Sequence, residues 1–163
     1  MQMFGIFRLA MLVLAASLNL QTNAAHKEDG TSAAESGTLW LRQAVPLKAD
    51  TVADQTTRLM VTGSEGAVTI YFNGQRLVRG RAIDGKTLAF DVTPLVRNGA
   101  NCIAISMTSS KATQPPKLAA SVISGDGKPV PLTNWKATLA APPVGWQQTD
   151  FNDRDWDAAD KAL

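Results

Sequence analysis

Ala67-Val68-Thr69-Ile70-Tyr71-Phe72-Asn73-Gly74-Gln75-Arg76-Leu77-Val78-Arg79-Gly80-Arg81 decides the fold. Val68, Ile70 and Phe72 alternate with Thr69, Tyr71 and Asn73, a period of two that fits a strand with one buried face. Asn73-Gly74 follows at once. That pair accepts positive φ at both central positions of a type I′ turn, so Gln75 to Arg81 should return as the partner strand.

The same grammar extends in both directions. Upstream, Leu39, Leu41, Val45 and Leu47 sit among polar residues at strand spacing, and Thr57 to Thr62 leads into the turn Gly63-Ser64-Glu65-Gly66. Downstream, Asp84-Gly85 turns the chain, and Leu88, Phe90 and Val92 alternate with Ala89 and Asp91. Thr93-Pro94-Leu95-Val96-Arg97-Asn98-Gly99 predicts one short helical turn near Thr93–Asn98. Thr93 suits its cap, Pro94 its first position and Gly99 a left-handed exit, and the turn should cross between sheets. Ile103, Ile105 and Met107 form the next strand, with Cys102, Ala104 and Ser106 on its other face. Pro115-Pro116 breaks the chain before Leu118, Ala120 and Val122. Gly125-Asp126-Gly127 turns it again, and Val130 to Leu139 reads as a last strand region around Trp135. Most turn signals fall about ten residues apart, the spacing of an all-β sandwich. The expectation is an all-β fold: two packed antiparallel sheets of about eight strands.

The start of the chain reads differently. Leu9 to Ala16 is an apolar run, polarity then rises, and Thr22-Asn23-Ala24 places small side chains at −3 and −1 of a cleavage site. Residues 1–24 are therefore expected to be an export signal, too short in apolar length to span a membrane. Residues 25–38 read as a disordered polar linker, and 39–163 as one domain. The expected location is secreted or periplasmic.

Composition removes several function classes. The 163 residues hold 16 Lys+Arg against 14 Asp+Glu, a formal charge of +2, and phosphate-backbone binding needs a basic face that near-neutrality does not supply. One Cys, Cys102, excludes an intramolecular disulfide and a Cys-rich zinc site. His26 is the single histidine and lies in the linker, so Ser/His/Asp and Cys/His schemes have nothing to stand on. Only Glu28, Glu35 and Glu65 are glutamates, the first two in the linker. A glycosidase needs two carboxylates held across the scissile bond; the 14 acids do not exclude such a pair by count, but a small sandwich lacks the deep cleft that hydrolases build. No catalysis is expected.

Asp150-Phe151-Asn152-Asp153-Arg154-Asp155-Trp156-Asp157 is the densest run of oxygen ligands, but it lacks the glycine and terminal glutamate of an EF-hand loop. The favoured reading is a turn in which one Asp caps a helical start and Trp156 docks on the sandwich, so no cofactor is expected. Arg76, Arg79 and Arg81 make the second hairpin strand basic, with Lys86 just beyond it. They suit an anionic glycan or phosphate, or more plainly a solvated edge whose charges discourage pairing with another sheet. Tyr71 is out of phase with the inner residues and should face outward. If a glycan surface exists, Tyr71 is its best platform, with Arg79 and Arg81 as hydrogen-bond donors. The tryptophans read as packing anchors at sheet ends.

Tyr71-Phe72-Asn73-Gly74, then Phe90-Asp91-Val92-Thr93-Pro94-Leu95-Val96, then Gly99-Ala100-Asn101-Cys102-Ile103-Ala104-Ile105 resembles the galactose-binding-like jelly roll. That fold is found in the sugar-binding domain of family 2 glycoside hydrolases and in related domains of rhamnosidases. Leu39-Trp40-Leu41-Arg42 is similar to its first strand. Gly145-Trp146 with Phe151 to Trp156 is similar to an element common around such domains. The resemblance covers about residues 39–160. It implies a non-catalytic carbohydrate-binding or carbohydrate-associated module, with a glycan or a partner protein or hydrolase as its partner. The alternatives it leaves are a structural or protein-interaction jelly roll and the front accessory piece of a larger glycoside hydrolase, since such an element is usually followed by more chain. It also leaves a structural calcium open.

Overall fold

In the computed structural model, residues 37–47, 56–109, 117–125 and 127–159 are described. The expected signal, His26, Glu28, Glu35 and Pro115-Pro116 lie outside them. Ten strands form two antiparallel sheets, the all-β sandwich expected. They are β1 (Thr38–Leu47), β2 (Arg58–Gly63), β3 (Ala67–Phe72), β4 (Gln75–Ala82), β5 (Thr87–Asp91), β6 (Gly99–Thr108), β7 (Leu118–Ile123), β8 (Pro129–Pro131), β9 (Lys136–Thr138) and β10 (Asp157–Ala158). One sheet has the order β10-β9-β1-β6-β3-β4, the other β5-β2-β7-β8. β1 takes in Thr38, the last residue of the expected linker.

The period-two reading of the core holds. Val68, Ile70, Phe72, Val92, Ile103, Ile105 and Met107 are fully buried between the sheets, and Leu88 and Phe90 pack half-buried against them. Register explains the agreement: β3 pairs with β6 so that Ile70 meets Ile105 and Phe72 meets Ile103, and opposed residues share a face. Each fully buried aliphatic or aromatic side chain contributes about 1.5–3 kcal/mol over an exposed one.

Asn73 (φ 51°) and Gly74 (φ 81°) turn the β3–β4 hairpin as expected. The crossing from β5 in one sheet to β6 in the other is a 3-10 turn, Thr93–Leu95, with Pro94 in its first turn. It is shorter than Thr93–Asn98, and Thr93 does not cap it. The Thr93 hydroxyl and backbone N–H both donate to Asp91 Oδ1 (2.6 and 3.0 Å), and its oxygen accepts from Thr57 N (2.8 Å). Thr93 thus ties the crossing to the entry of β2.

The last expected strand is corrected. Val130 to Leu139 is two three-residue strands in different sheets: β8 pairs with β7, and β9 pairs with β1. The chain changes sheets between them at Leu132 to Trp135. Trp135, buried, anchors that crossing by donating its indole N–H to Leu132 O at 2.9 Å.

Candidate functional site

The hairpin holds Tyr71, Arg79 and Arg81, but it does not gather them. Tyr71 faces outward, as its phase requires. Its ring meets the Trp146 ring edge-on, with centroids 5.7 Å apart, and is half-buried. Across the hairpin, Arg76 is opposite Tyr71, whereas Arg81 is opposite Val68, an inner-face residue. Two register shifts within β4 separate them. The first falls at Gly80 (φ 57°), whose N–H donates to Thr69 Oγ1 at 3.0 Å. Bulges of this kind twist an edge strand and spoil it as a template for further pairing. Arg76, Arg79 and Arg81 are exposed and make no ion pair among the described residues.

Part of the outer face of the six-stranded sheet is covered by the chain itself. Residues 146–156 fold back over it, so that Trp146, Phe151 and Trp156 cover Trp40, Tyr71, Cys102 and Ala104. Trp146 stacks on Trp156 at 6.2 Å and meets Trp40 edge-on at 5.0 Å. Arg42 fastens this strap. It is 3% exposed, donates to the backbone oxygens of Trp146 and Gln148, and donates through Nε to Asp153 Oδ2 at 3.1 Å. Its guanidinium carbon lies 5.1 Å from the centre of the Phe151 ring. Lys136 Nζ reaches the other carboxylate oxygen of Asp153 at 3.0 Å. Burial alone would raise the Asp153 pKa, but the hydrogen bonds from Lys136 and Arg42 outweigh it and hold the carboxyl below its ordinary value.

The acidic run is thus a strap element. Asp153 faces two cations, Asn152 Oδ1 accepts from Arg154 N, and Trp156 docks as expected. Among the described residues no three His, Cys, Asp or Glu side chains converge as a metal site. Trp146 anchors the strap on the sheet's outer face rather than at a sheet end, the place expected for it.

The asparagines of the resemblance motif are also structural. Asn73 and Asn101 are 7% and 1% exposed. Asn73 Nδ2 donates to Asn101 Oδ1 (2.7 Å) and Leu95 O (2.8 Å), and Asn73 Oδ1 accepts from Cys102 N (2.8 Å). Asn101 Nδ2 donates to the carbonyls of Arg97 and Gly99, and its oxygen accepts from Arg97 N. Two amides therefore tie the hairpin turn, the 3-10 crossing and the start of β6 together, satisfying backbone groups that regular pairing leaves open.

Among the described residues, cavities open at two places of note. One, about 390 Å³, lies beside this network between Asn73-Gly74 and Pro94 to Arg97, with Gln148 on its wall. The other, about 420 Å³, lies along the open seam between β1 and β8 and is lined in part by Gln43, Val130 and Asn134. Sequence reasoning missed Arg42 and Gln43. For Gln43 a signal existed, because it has the parity of Leu39, Leu41, Val45 and Leu47.

No protein-family model matches the sequence, and no curated protein matches it. Solved structures do match. An α-L-rhamnosidase from Streptomyces avermitilis, complexed with L-rhamnose, aligns with 77% of this chain and 13% of its own at 24% identity, TM-score 0.60. An α-L-rhamnosidase from Dictyoglumus thermophilum aligns with 75% of this chain and 17% of its own at 19% identity, TM-score 0.60. A lectin from Pleurotus ostreatus, in complex with GalNAc, aligns with 76% of this chain and 36% of its own at 22% identity, TM-score 0.51. The chain spans well under two thirds of each. At these identities the likeness is one of fold, and it agrees with the galactose-binding-like jelly roll of rhamnosidases to which the motifs point.

Proposed function

We propose that this chain is an exported, non-catalytic carbohydrate-binding module, of the accessory kind that accompanies glycoside hydrolases. The observation that carries the reading is the fold match: three-quarters of this chain corresponds to 13–17% of two rhamnosidases and to 36% of a lectin. A jelly roll that recurs as a small fraction of large sugar-cleaving enzymes suits an attached binding part better than a reaction centre.

The acids support the non-catalytic part. Asp153 is held ionised between Arg42 and Lys136, and the Glu65 carboxylate accepts from Ser109 Oγ at 3.2 Å. A general acid needs a raised pKa, and Asp153 has the reverse. Export rests on Leu9 to Ala16 and the small residues before Ala24. On the hairpin, exposed Arg76 opposite the half-buried Tyr71, with exposed Arg79 and Arg81 further along the strand, offers donors suited to acidic glycans.

A glycan array probed with the purified chain tests the reading, with L-rhamnose and N-acetylgalactosamine titrated by calorimetry. Retention of at least one glycan class without hydrolysis of an aryl α-L-rhamnoside is expected. No retention on the array sinks it. Alanine at both Tyr71 and Arg79 should weaken retention of acidic glycans.

One observation favours a second reading, a scaffold that packs on a partner protein. Asn73, Asn101, Trp146 and Arg42, all within the resemblance motifs, are spent on internal bonds. An empty array combined with a partner domain that raises the melting temperature would favour the scaffold.

A further inference from the structure

β9 pairs with β1 only over Trp40–Arg42. Beyond Arg42 the β1 backbone runs on to Leu47 with β6 on one side and, among the described residues, no strand on the other. In the opposite sheet the strand at this margin is β8, which is three residues long. The two sheets therefore fail to close along this seam, and the cleft of about 420 Å³ lies in the gap.

Gln43 stands at its inner end. It is opposite Ile103, a fully buried core residue, so its side chain belongs to the inner face of β1. It is 9% exposed, and its Oε1 is sealed from solvent and accepts no hydrogen bond. Its same-face neighbours along β1 are Leu41 and Val45, which offer no side-chain donor. A buried acceptor without a partner is costly and uncommon in folded proteins. Gln43 lines the cleft, and its side-chain amide is the polar group at the cleft's inner wall.

The rest of the lining fits one kind of molecule. Pro46 and Val130 supply apolar walls, and Val130 is 59% exposed. Ser124, Thr133 and Asn134 supply uncharged donors and acceptors. No described lining residue is ionisable. A pyranose presents C–H faces to apolar walls and hydroxyls to polar groups, and needs no counter-charge.

We propose that this seam is a binding site for a single neutral sugar unit, with Gln43 as its inner hydrogen-bonding residue. The proposal rests on the carbohydrate reading above, but it assigns a site separate from the basic hairpin and a different glycan class.

The test is a chemical-shift titration of the full chain with neutral methyl pyranosides of the gluco, galacto, manno and 6-deoxy-manno series, and with glucuronate. The expected result is shifts at amides 43–47 and 130–134 with at least one neutral pyranoside, and none there with glucuronate. Gln43→Leu keeps the volume and removes the orphan acceptor. It should weaken that binding at least tenfold while leaving the melting temperature equal or higher. Asn134→Ala, on an exposed segment, should weaken binding with the melting temperature unchanged. Shifts confined to Tyr71, Arg76 and Arg79 overturn the seam site and leave the carbohydrate reading standing. No response to any pyranoside, on a chain that binds acidic glycans on the array, overturns it as well. Unchanged binding in both variants, or Gln43→Leu unfolding while Asn134→Ala binds as the parent chain, assigns Gln43 a structural role and overturns the proposal.

Discussion

The two faces of the six-stranded sheet are both covered, by opposite means. On the inner face, Val68, Ile70, Phe72, Ile103, Ile105 and Met107 meet the second sheet with apolar surface alone. On the outer face, Tyr71, Cys102 and Ala104 meet a strap of irregular chain, held by Arg42, Asp153 and ring-on-ring contacts. The inner contact is non-directional and scales with area. The outer one depends on a few directed bonds. Removing one group should therefore act globally on the first face and locally on the second.

The largest effect is expected inside. Phe72→Ala should cost about 3–5 kcal/mol, seen as a lower denaturation midpoint with an unchanged slope. A loss under 1 kcal/mol would mean the core does not close over Phe72. Next comes Arg42→Met, which keeps the stem against Phe151 and removes the donors to Trp146, Gln148 and Asp153. A loss of about 2–3 kcal/mol is expected. Faster hydrogen exchange should be confined to residues 146–153, and exchange rising equally in β3 and β6 would erase the distinction between the faces.

Asn73→Ala should cost about 1–3 kcal/mol, because it orphans Cys102 N and Leu95 O and places alanine at positive φ. Its melting curve tests whether the crossing and the hairpin are one unit. The smallest effect is electrostatic. The Asp153 pKa is lowered, so its contribution is complete above the ordinary carboxyl value of 3.8 and fades as pH falls through the lower folded-state value. Indole fluorescence should report strap loosening below about pH 4, and Asp153→Asn should remove that acid-dependent step. An unchanged acid profile in that variant would mean that another group drives it.

The inner face was legible in the sequence and the outer one was not, for one reason. Strand alternation is local, so Val68-Ile70-Phe72 and Ile103-Ile105-Met107 announce their side of the sheet without knowledge of their partners. Arg42 has ordinary outward parity, and what buries it lies more than a hundred positions further along the chain. Val130 to Leu139 misled because β8 and β9 are too short to carry a period, and the change of sheet at Leu132 to Trp135 is set by tertiary packing. Gln43 was legible in principle, as a polar residue in an inner phase. The site expected at Tyr71, Arg79 and Arg81 assumed a regular hairpin register, and the bulges in β4 instead place Arg76 opposite Tyr71 and Arg81 opposite inward-facing Val68.

Burial under the strap also changes what the thiol of Cys102 can report. It is 3% exposed, and desolvation, outweighing the nearby Arg42 charge, raises its pKa. Trp146 packs in the same buried cluster, so reagent is expected to reach the sulfur when that ring lifts away. Labelling kinetics at this sulfur would therefore time the opening of the tail, as a clock wired to one hinge, while the apolar interior stays shut.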